Sequence, residues 1–221
     1  MLRLSDVSVS IGPVGILRNV SLEVGAGQFA GLIGRNGAGK TTLMRTIMGL
    51  LPVRAGALEF DGSVLGKVPT HRRVSLGIGY MPEDRRLVPG LTVEENVLLP
   101  AWSAGFADAD AAARLARVYA AIPEVQEFRA RRALQLSGGQ QKLVALARSM
   151  IAGTRLLLLD EPFEGVAPVL ARRLADVIAE LRRTGVTVVL SESSLVHARE
   201  LLDLVFVIDR GAVAARTAQI R

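Results

Sequence analysis

The chain has 221 residues, of which 50% are hydrophobic, and its formal net charge is +6. A chain of this length and composition can bury a core, so the sequence excludes a wholly disordered protein. It contains no cysteine, which excludes disulfides, thiolate nucleophiles and thiolate metal sites, and its two histidines do not favour a histidine-based metal site.

The positive charge comes mostly from scattered arginines, as in the pairs at 131–132, 172–173 and 182–183. This distribution is typical of solvated helix faces, while a surface for acidic lipid headgroups or for nucleic acid stays open as an alternative. Aromatic residues make up only 4% of the chain, which argues against stacking on single strands. We therefore expect no nucleic-acid partner.

The first third of the chain is predicted to form strands and turns. Hydrophobic residues alternate over residues 2–11 and again over residues 20–24, and a later apolar run ends at the turn pair Asp61-Gly62. This pattern predicts antiparallel sheet. Between these segments, residues 29–33 predict a short buried strand, followed by a glycine loop and a helix over residues 41–48.

The glycine loop matches the phosphate-loop pattern G-x-x-x-x-G-K-[ST] and lies between a predicted strand and helix, as that motif requires. Glycines let successive backbone N–H groups turn toward a phosphate chain, and the helix N-terminus adds positive potential. Lys40 would reach the β- and γ-phosphate oxygens, and the Thr41 hydroxyl would take a position on Mg²⁺. The predicted ATP-binding residues are Gly34, Arg35, Asn36, Gly37, Ala38, Gly39, Lys40, Thr41 and Thr42.

Residues 82–150 have a different composition, with few β-branched residues and an alanine-rich helix near residues 107–121. Asp108 and Asp110 in the first turn of that helix and Pro123 just past its end are typical helix boundary signals. We interpret residues 82–150 as a separate helical lobe. Residues 1–81 and 151–221 would then form the main core, together with the antiparallel sheet.

A second glycine motif lies inside this lobe and consists of Leu136, Ser137, Gly138, Gly139 and Gln140. By itself the motif is a helix cap. Yet Ser137 and the glycine N–H groups at a helix N-terminus could also hold a phosphate. Because the first loop already holds one phosphate chain, a second such site suggests that nucleotide is clamped between two subunits.

Within residues 155–161, the apolar run 156–159 predicts a buried strand that delivers two carboxylates, Asp160 and Glu161, at its end. Ligands of open α/β sheets lie at such strand ends. Asp160 is expected to hold Mg²⁺ through a water, and Glu161 to orient or deprotonate the attacking water. An isolated acid pair is more often a solvated strand boundary, but the phosphate loop favours the catalytic interpretation.

The remaining chain resumes the alternation of helices and strands. A helix begins near Pro168 and ends at Gly185, and strands follow over residues 186–190 and 204–208. The predicted fold class is therefore α/β, with a mostly parallel sheet that carries an antiparallel β subdomain and an inserted helical arm.

The three motifs in this order resemble those of ABC-transporter ATPase domains, and the resemblance covers essentially the whole chain. The sequence LSGGQ at residues 136–140 is that family's signature. The resemblance implies a P-loop NTPase of the ABC type, with a RecA-like core, an antiparallel β subdomain and an inserted helical signature subdomain. It also implies a head-to-tail dimer in which each ATP lies between the phosphate loop of one subunit and the signature of the other.

Residues 79–86, 91–96 and 164–168 are similar to one branch, the second ATPase subunit of branched-chain amino-acid importers, with importers of urea and short amides close by. This resemblance implies a cytoplasmic subunit, peripheral on the inner face of the cell membrane, that hydrolyses ATP to energise uptake. Its implied partners are polytopic permease subunits and a second ATPase subunit, with a heterodimer favoured over a homodimer.

The chain departs from the family pattern at several positions. Ser10-Ile11 stands where many members place an aromatic residue on adenine, which predicts weak, base-tolerant nucleotide binding. Glu83 replaces the usual glutamine, and its carboxylate could still take a metal-bound water. Ser193 aligns with the switch histidine, and His197, one helical turn on, is expected to be a surface or packing residue.

Loss of one preorganised donor typically costs about 10² to 10³ in rate, so Ser193 predicts weak hydrolysis by the lone chain. The main hypothesis is a transport ATPase with Glu161 as catalytic base. The first alternative is a regulatory module that binds ATP without useful hydrolysis. A second alternative, a soluble ABC protein of translation or DNA repair, is disfavoured because those proteins usually carry two cassettes or a long coiled-coil insertion.

Overall fold

Ten strands and seven α-helices occupy residues 1–218, the part of the chain that this computed structural model describes. The strands are β1 (Leu2–Ile11), β2 (Val14–Val24), β3 (Phe29–Ile33), β4 (Ala55–Phe60), β5 (Ser63–Val64), β6 (Ile78–Met81), β7 (Leu156–Asp160), β8 (Thr187–Glu192), β9 (Leu204–Asp209) and β10 (Ala212–Ala218). The helices are α1 (Lys40–Ile47), α2 (Thr70–Ser75), α3 (Val93–Ser103), α4 (Asp108–Ala121), α5 (Pro123–Glu127), α6 (Gly138–Ala152) and α7 (Pro168–Glu180).

The first sheet is antiparallel, as predicted, with strand order β2-β1-β4-β5. Alternate side chains of β1 are buried, which follows from the period-two pattern of the sequence. β2 begins at Val14, earlier than the predicted strand over residues 20–24, because it pairs with β1 along nearly its whole length and Val14 lies opposite Ile11. Asp61 and Gly62 both have positive φ and form the predicted turn into β5.

The second sheet has strand order β10-β9-β3-β8-β7-β6, and only β10 is antiparallel to its neighbour. Register pairs Ile33 with Glu192 and Asp160 with Ser191, so the carboxyl ends of β3, β8 and β7 lie side by side. This alignment brings the loop after β3 next to the acids at the end of β7. The sequence did not predict β6 or β10 as strands.

The helices α3 to α6 follow one another between β6 and β7. The α6 helix begins at Gly138 and packs against α3 and β6. Gly79 of β6 lies directly against the backbone of Ser149 and Gly153, where a Cβ would overlap with main-chain atoms. One hydrophobic cluster contains residues of both these helices and the second sheet, so the two share a core. The predicted boundary at residue 150 falls inside α6, and the division into subdomains stays a prediction.

Among residues 1–218, no helix combines the length and the apolar character that crossing a bilayer requires.

Candidate nucleotide-binding and hydrolysis site

The phosphate loop follows β3 and leads into α1. Gly37 and Gly39 have φ of 81° and 111°, a region that side-chain-bearing residues rarely adopt. Gly34 lies against the backbone carbonyl of Ile208, which leaves no space for a Cβ. Its N–H donates to the carbonyl of Glu192 at 3.2 Å, which ties the start of the loop to β8. The motif therefore needs glycine for two reasons: the loop turns with positive φ, and its backbone approaches another strand closely.

Lys40 is the first residue of α1, and its side chain is only 4% exposed. Its ammonium donates to the carbonyls of Gly34 at 2.7 Å and Arg35 at 3.2 Å. It also forms an ion pair with Oε1 of Glu161 at 2.9 Å. The loop thus curls around the ammonium, and this cation sits where a phosphate chain would be held.

A cavity of about 390 Å³, which we call the phosphate cavity, lies beside the phosphate loop. Its lining brings together four segments that are distant in sequence: Ile16, then Asn36, Gly37, Gly39, Lys40, Thr41 and Thr42, then Glu83, and finally Glu161. Ile16 was not predicted as a site residue. Ile11, at the position of the usual adenine-stacking aromatic, is 49% exposed and does not line this cavity.

Asp160 is fully buried at the end of β7, and three hydroxyl groups donate to its carboxylate. Thr41 Oγ1 and Ser191 Oγ donate to Oδ1 at 3.2 Å and 2.6 Å, and Tyr80 OH donates to Oδ2 at 3.2 Å. Burial raises the pKa of Asp160, and the three hydrogen bonds oppose that effect. The structure therefore joins the predicted metal-site residues Thr41 and Asp160.

Glu161 follows directly, and its backbone has a φ of 48°, in the left-handed region. Its N–H donates to the carbonyl of Ser191 at 3.1 Å, and its own carbonyl accepts from the buried ammonium of Lys142 at 2.7 Å. Burial by itself would raise the pKa of Glu161, but hydrogen bonding and the charges of Lys40 and Lys142 lower it. Oε2 of Glu161 is buried without a hydrogen-bond partner in residues 1–218, which leaves an acceptor for a bound water.

Glu83 is exposed and lines the phosphate cavity. It also lines a neighbouring cavity of about 220 Å³ together with Thr41, Tyr80 and Asp160. The position predicted for a third metal-site group thus lies next to the other two.

The signature residues lie at the N-terminus of α6, outside the lining of the phosphate cavity. Ser137 Oγ accepts from the N–H of Gln140 at 3.3 Å, and the Gln140 side chain accepts from the N–H of Ser137 at 3.0 Å. This reciprocal pair is a capping box. Ser137 and Gly138 are exposed, so within one chain the signature faces outward.

Ser193 and His197 follow β8 and are both exposed. The His197 ring lies 5.8 Å from the ring of Phe163, in a tilted arrangement. This placement agrees with the expectation that His197 is a surface or packing residue.

The residues that sequence reasoning missed are Ile16, Tyr80, Lys142 and Ser191. Each reaches the site from a segment whose local pattern is that of an ordinary strand or helix. The only sequence signal was that Lys142 directly precedes an apolar stretch of α6 and Ser191 directly follows the apolar run Val188 to Leu190 of β8.

Comparison with known proteins agrees with this geometry. A family model described as ABC transporter matches residues 17–164. The high-affinity branched-chain amino acid transport ATP-binding protein BraG of Pseudomonas aeruginosa is 36% identical over 96% of this chain and 91% of its own length. The probable branched-chain amino acid transport ATP-binding protein LivF of Archaeoglobus fulgidus is 31% identical over 97% of this chain and 90% of its own length.

A solved structure described as the ATP binding subunit of an ABC transporter superposes with a TM-score of 0.86 at 29% identity, over 99% of this chain and 90% of that chain. The predicted fold class and the family resemblance are thereby confirmed. The chain belongs to the ABC transporter family, as an ATP-binding subunit that couples ATP hydrolysis to transport.

Proposed function

We propose that this chain is the ATPase subunit of an importer of branched-chain amino acids or related small amides, acting on the inner face of the cell membrane with separate permease subunits. The names of its relatives BraG and LivF support the substrate class. The observation that carries the ATPase assignment is the meeting of Lys40, Thr41 and Glu161 around one cavity.

The lysine and the loop amides would bind the triphosphate. In the structure, the Lys40 ammonium is shared between the loop carbonyls and Glu161. A phosphate chain that enters the loop competes with Glu161 for this ammonium, because a hydrogen bond between an ammonium and a phosphate oxygen is charge-assisted and therefore strong. Transfer of Lys40 toward phosphate then releases Oε1 of Glu161. With ATP bound, Oε1 as well as Oε2 of Glu161 would then be free to face water.

The residues present fit a magnesium ion. Mg²⁺ is commonly held by one or two carboxylates together with substrate phosphates. Thr41 Oγ1 and Asp160 Oδ1 are 3.2 Å apart, and residues 1–218 contain no cluster of three His, Asp or Glu side chains that would hold an ion unaided. When bound, Mg²⁺ shields the charge of the phosphates. Thr41, Asp160 and the adjacent Glu83 would hold it.

Glu161 would act as the general base. Hydrogen bonds from Glu164 and Lys40 and the charges of Lys40 and Lys142 lower the pKa of Glu161, so its carboxylate is ionised, and Oε2 makes no close hydrogen bond within the described residues. Such an oxygen can accept the proton of a water aligned with the γ-phosphate.

The outward-facing signature supports a head-to-tail dimer. Ser137 and Gly138 are exposed and lie outside the phosphate cavity of their own chain, so they are available to the ATP of a second subunit. A second, different ATPase subunit is favoured because this chain lacks the switch histidine at Ser193 and the aromatic residue at Ile11.

Calorimetry and hydrolysis assays on the purified chain test the ATPase assignment. ATP should bind in a magnesium-dependent manner, Lys40→Ala should abolish binding, and Glu161→Gln should abolish turnover while keeping ATP bound. Binding that is unaffected by magnesium and by Lys40→Ala would contradict the assignment. Copurification of the chain with a polytopic membrane subunit and a second ATPase subunit tests the proposed partners.

A second candidate function is a weakly hydrolysing regulatory partner of another ABC ATPase. The exposed Ser193 at the switch position supports it, because serine offers no imidazole to the γ-phosphate. Hydrolysis by the lone chain that equals the rate of the complete two-subunit assembly would exclude this alternative.

A further inference from the structure

Ser191 touches both acids of the site from the neighbouring strand. Its Oγ donates to Oδ1 of Asp160 at 2.6 Å and accepts from the N–H of Glu161 at 3.3 Å. Its backbone carbonyl accepts from the same N–H at 3.1 Å. One serine therefore holds the side chain of the first acid and the backbone of the second.

The Ser191 hydroxyl lies in a fully buried, apolar part of the core. Ser191 has no exposed surface, and the residues before it on β8, Val188 to Leu190, are buried hydrophobics. Burying a hydroxyl costs free energy unless it is hydrogen-bonded. Both the donor and an acceptor site of Ser191 are used, and both partners belong to the catalytic pair.

Two donors from two different strands hold the two oxygens of Asp160. Ser191 of β8 donates to Oδ1, and Tyr80 of β6 donates to Oδ2 at 3.2 Å. Donors on both oxygens restrict rotation of the carboxylate about its last side-chain bond. The third donor, Thr41, is itself an expected magnesium ligand, and its hydroxyl oxygen would bind the ion through a lone pair while its hydrogen is donated to Asp160. Ser191 and Tyr80 have no such second role, so their part would be to hold the carboxylate.

We propose that Ser191 is a positioning residue that fixes the orientation of the Asp160 carboxylate for magnesium binding. Removal of a residue that hydrogen-bonds to a metal ligand typically lowers metal affinity by about 10- to 100-fold. This inference rests on the proposed magnesium site.

The test compares variants by calorimetry, with a non-hydrolysable ATP analogue titrated in Mg²⁺ and again in EDTA. The magnesium gain is the ratio of the analogue's affinity in Mg²⁺ to its affinity in EDTA. Ser191→Ala should reduce this gain by roughly 10-fold or more and leave the affinity in EDTA unchanged. Ser191→Thr, which keeps the hydroxyl, should restore the gain. Tyr80→Phe removes the donor of a different strand and should act in the same direction.

Thr187→Ala is the matched control. Thr187 is a fully buried hydroxyl at the other end of β8, and it accepts from the N–H of Gly27 at 2.9 Å. Its removal should lower stability and leave the magnesium gain intact. Equal losses in Ser191→Ala and Thr187→Ala, or no loss in Ser191→Ala, would overturn the inference. A wild-type chain without any magnesium gain would instead contradict the magnesium site itself, a result visible before any substitution is made.

Discussion

Replacement of Glu192 by glutamine should make the protein more stable at alkaline pH. Glu192 ends β8, is 5% exposed, and accepts the N–H of Phe163 at 3.0 Å through Oε1. Burial raises the pKa of Glu192 to about 7 from an ordinary value of 4.5; the Phe163 N–H opposes the rise and the negative charge of Glu161 adds to it. The folded protein therefore keeps this proton over a range in which the unfolded chain has lost it.

The sign follows from proton binding. Between about pH 4.5 and pH 7 the folded state binds more protons at this group than the unfolded state, so the free energy of unfolding falls as the pH rises. Above about pH 8 both states have lost the proton, and the free energy of unfolding no longer changes through this group. From pH 5 to pH 8 the two pKa values give a loss of roughly 2–3 kcal/mol, at about 1.4 kcal/mol per pKa unit.

Glu192→Gln keeps the acceptor for Phe163 and has no charge, so it should lack this pH-dependent loss. Urea unfolding at pH 5 and pH 8 measures the stability of both proteins, and the advantage of the variant should grow by roughly 2–3 kcal/mol between these pH values. Glu127→Gln, at an exposed position of α5, is the control and should show no such growth. Parallel pH profiles of wild type and Glu192→Gln would refute the reasoning.

Three further predictions concern single contacts. Lys142→Met leaves the Glu161 carbonyl without its buried donor and should slow hydrolysis with little change in ATP affinity, measured by turnover and calorimetry; an unchanged rate would contradict this role. Gly79→Ala places a Cβ against the backbone of α6 and should cost roughly 1–3 kcal/mol in urea unfolding, whereas Gly90→Ala, with open space around it, should be nearly neutral. Ser193→His should raise the hydrolysis rate of the lone chain by up to about 10²-fold, and a rate at or below wild type would contradict the switch assignment.

Features that depend on a short stretch of chain were predictable from the sequence. The phosphate loop needs glycines at fixed spacing because its backbone turns within a few residues, and Gly37 and Gly39 show that conformation. The antiparallel sheet and the helix over residues 108–121 follow in the same way from periodicity and boundary residues. The proximity of Thr41 to Asp160 was predictable too, because the loop before Thr41 follows β3 and Asp160 ends β7, which places both residues at the carboxyl edge of one sheet.

What the sequence alone determined is thus the chemistry of each motif and the end of the sheet at which it lies. The tertiary structure decided which side chains surround those motifs. Ser191 and Tyr80 reach Asp160 across 31 and 80 positions of sequence, and Lys142 reaches Glu161 from α6. Such contacts depend on strand order, register and the packing of α6, which arise from the whole core and leave no local pattern in the chain.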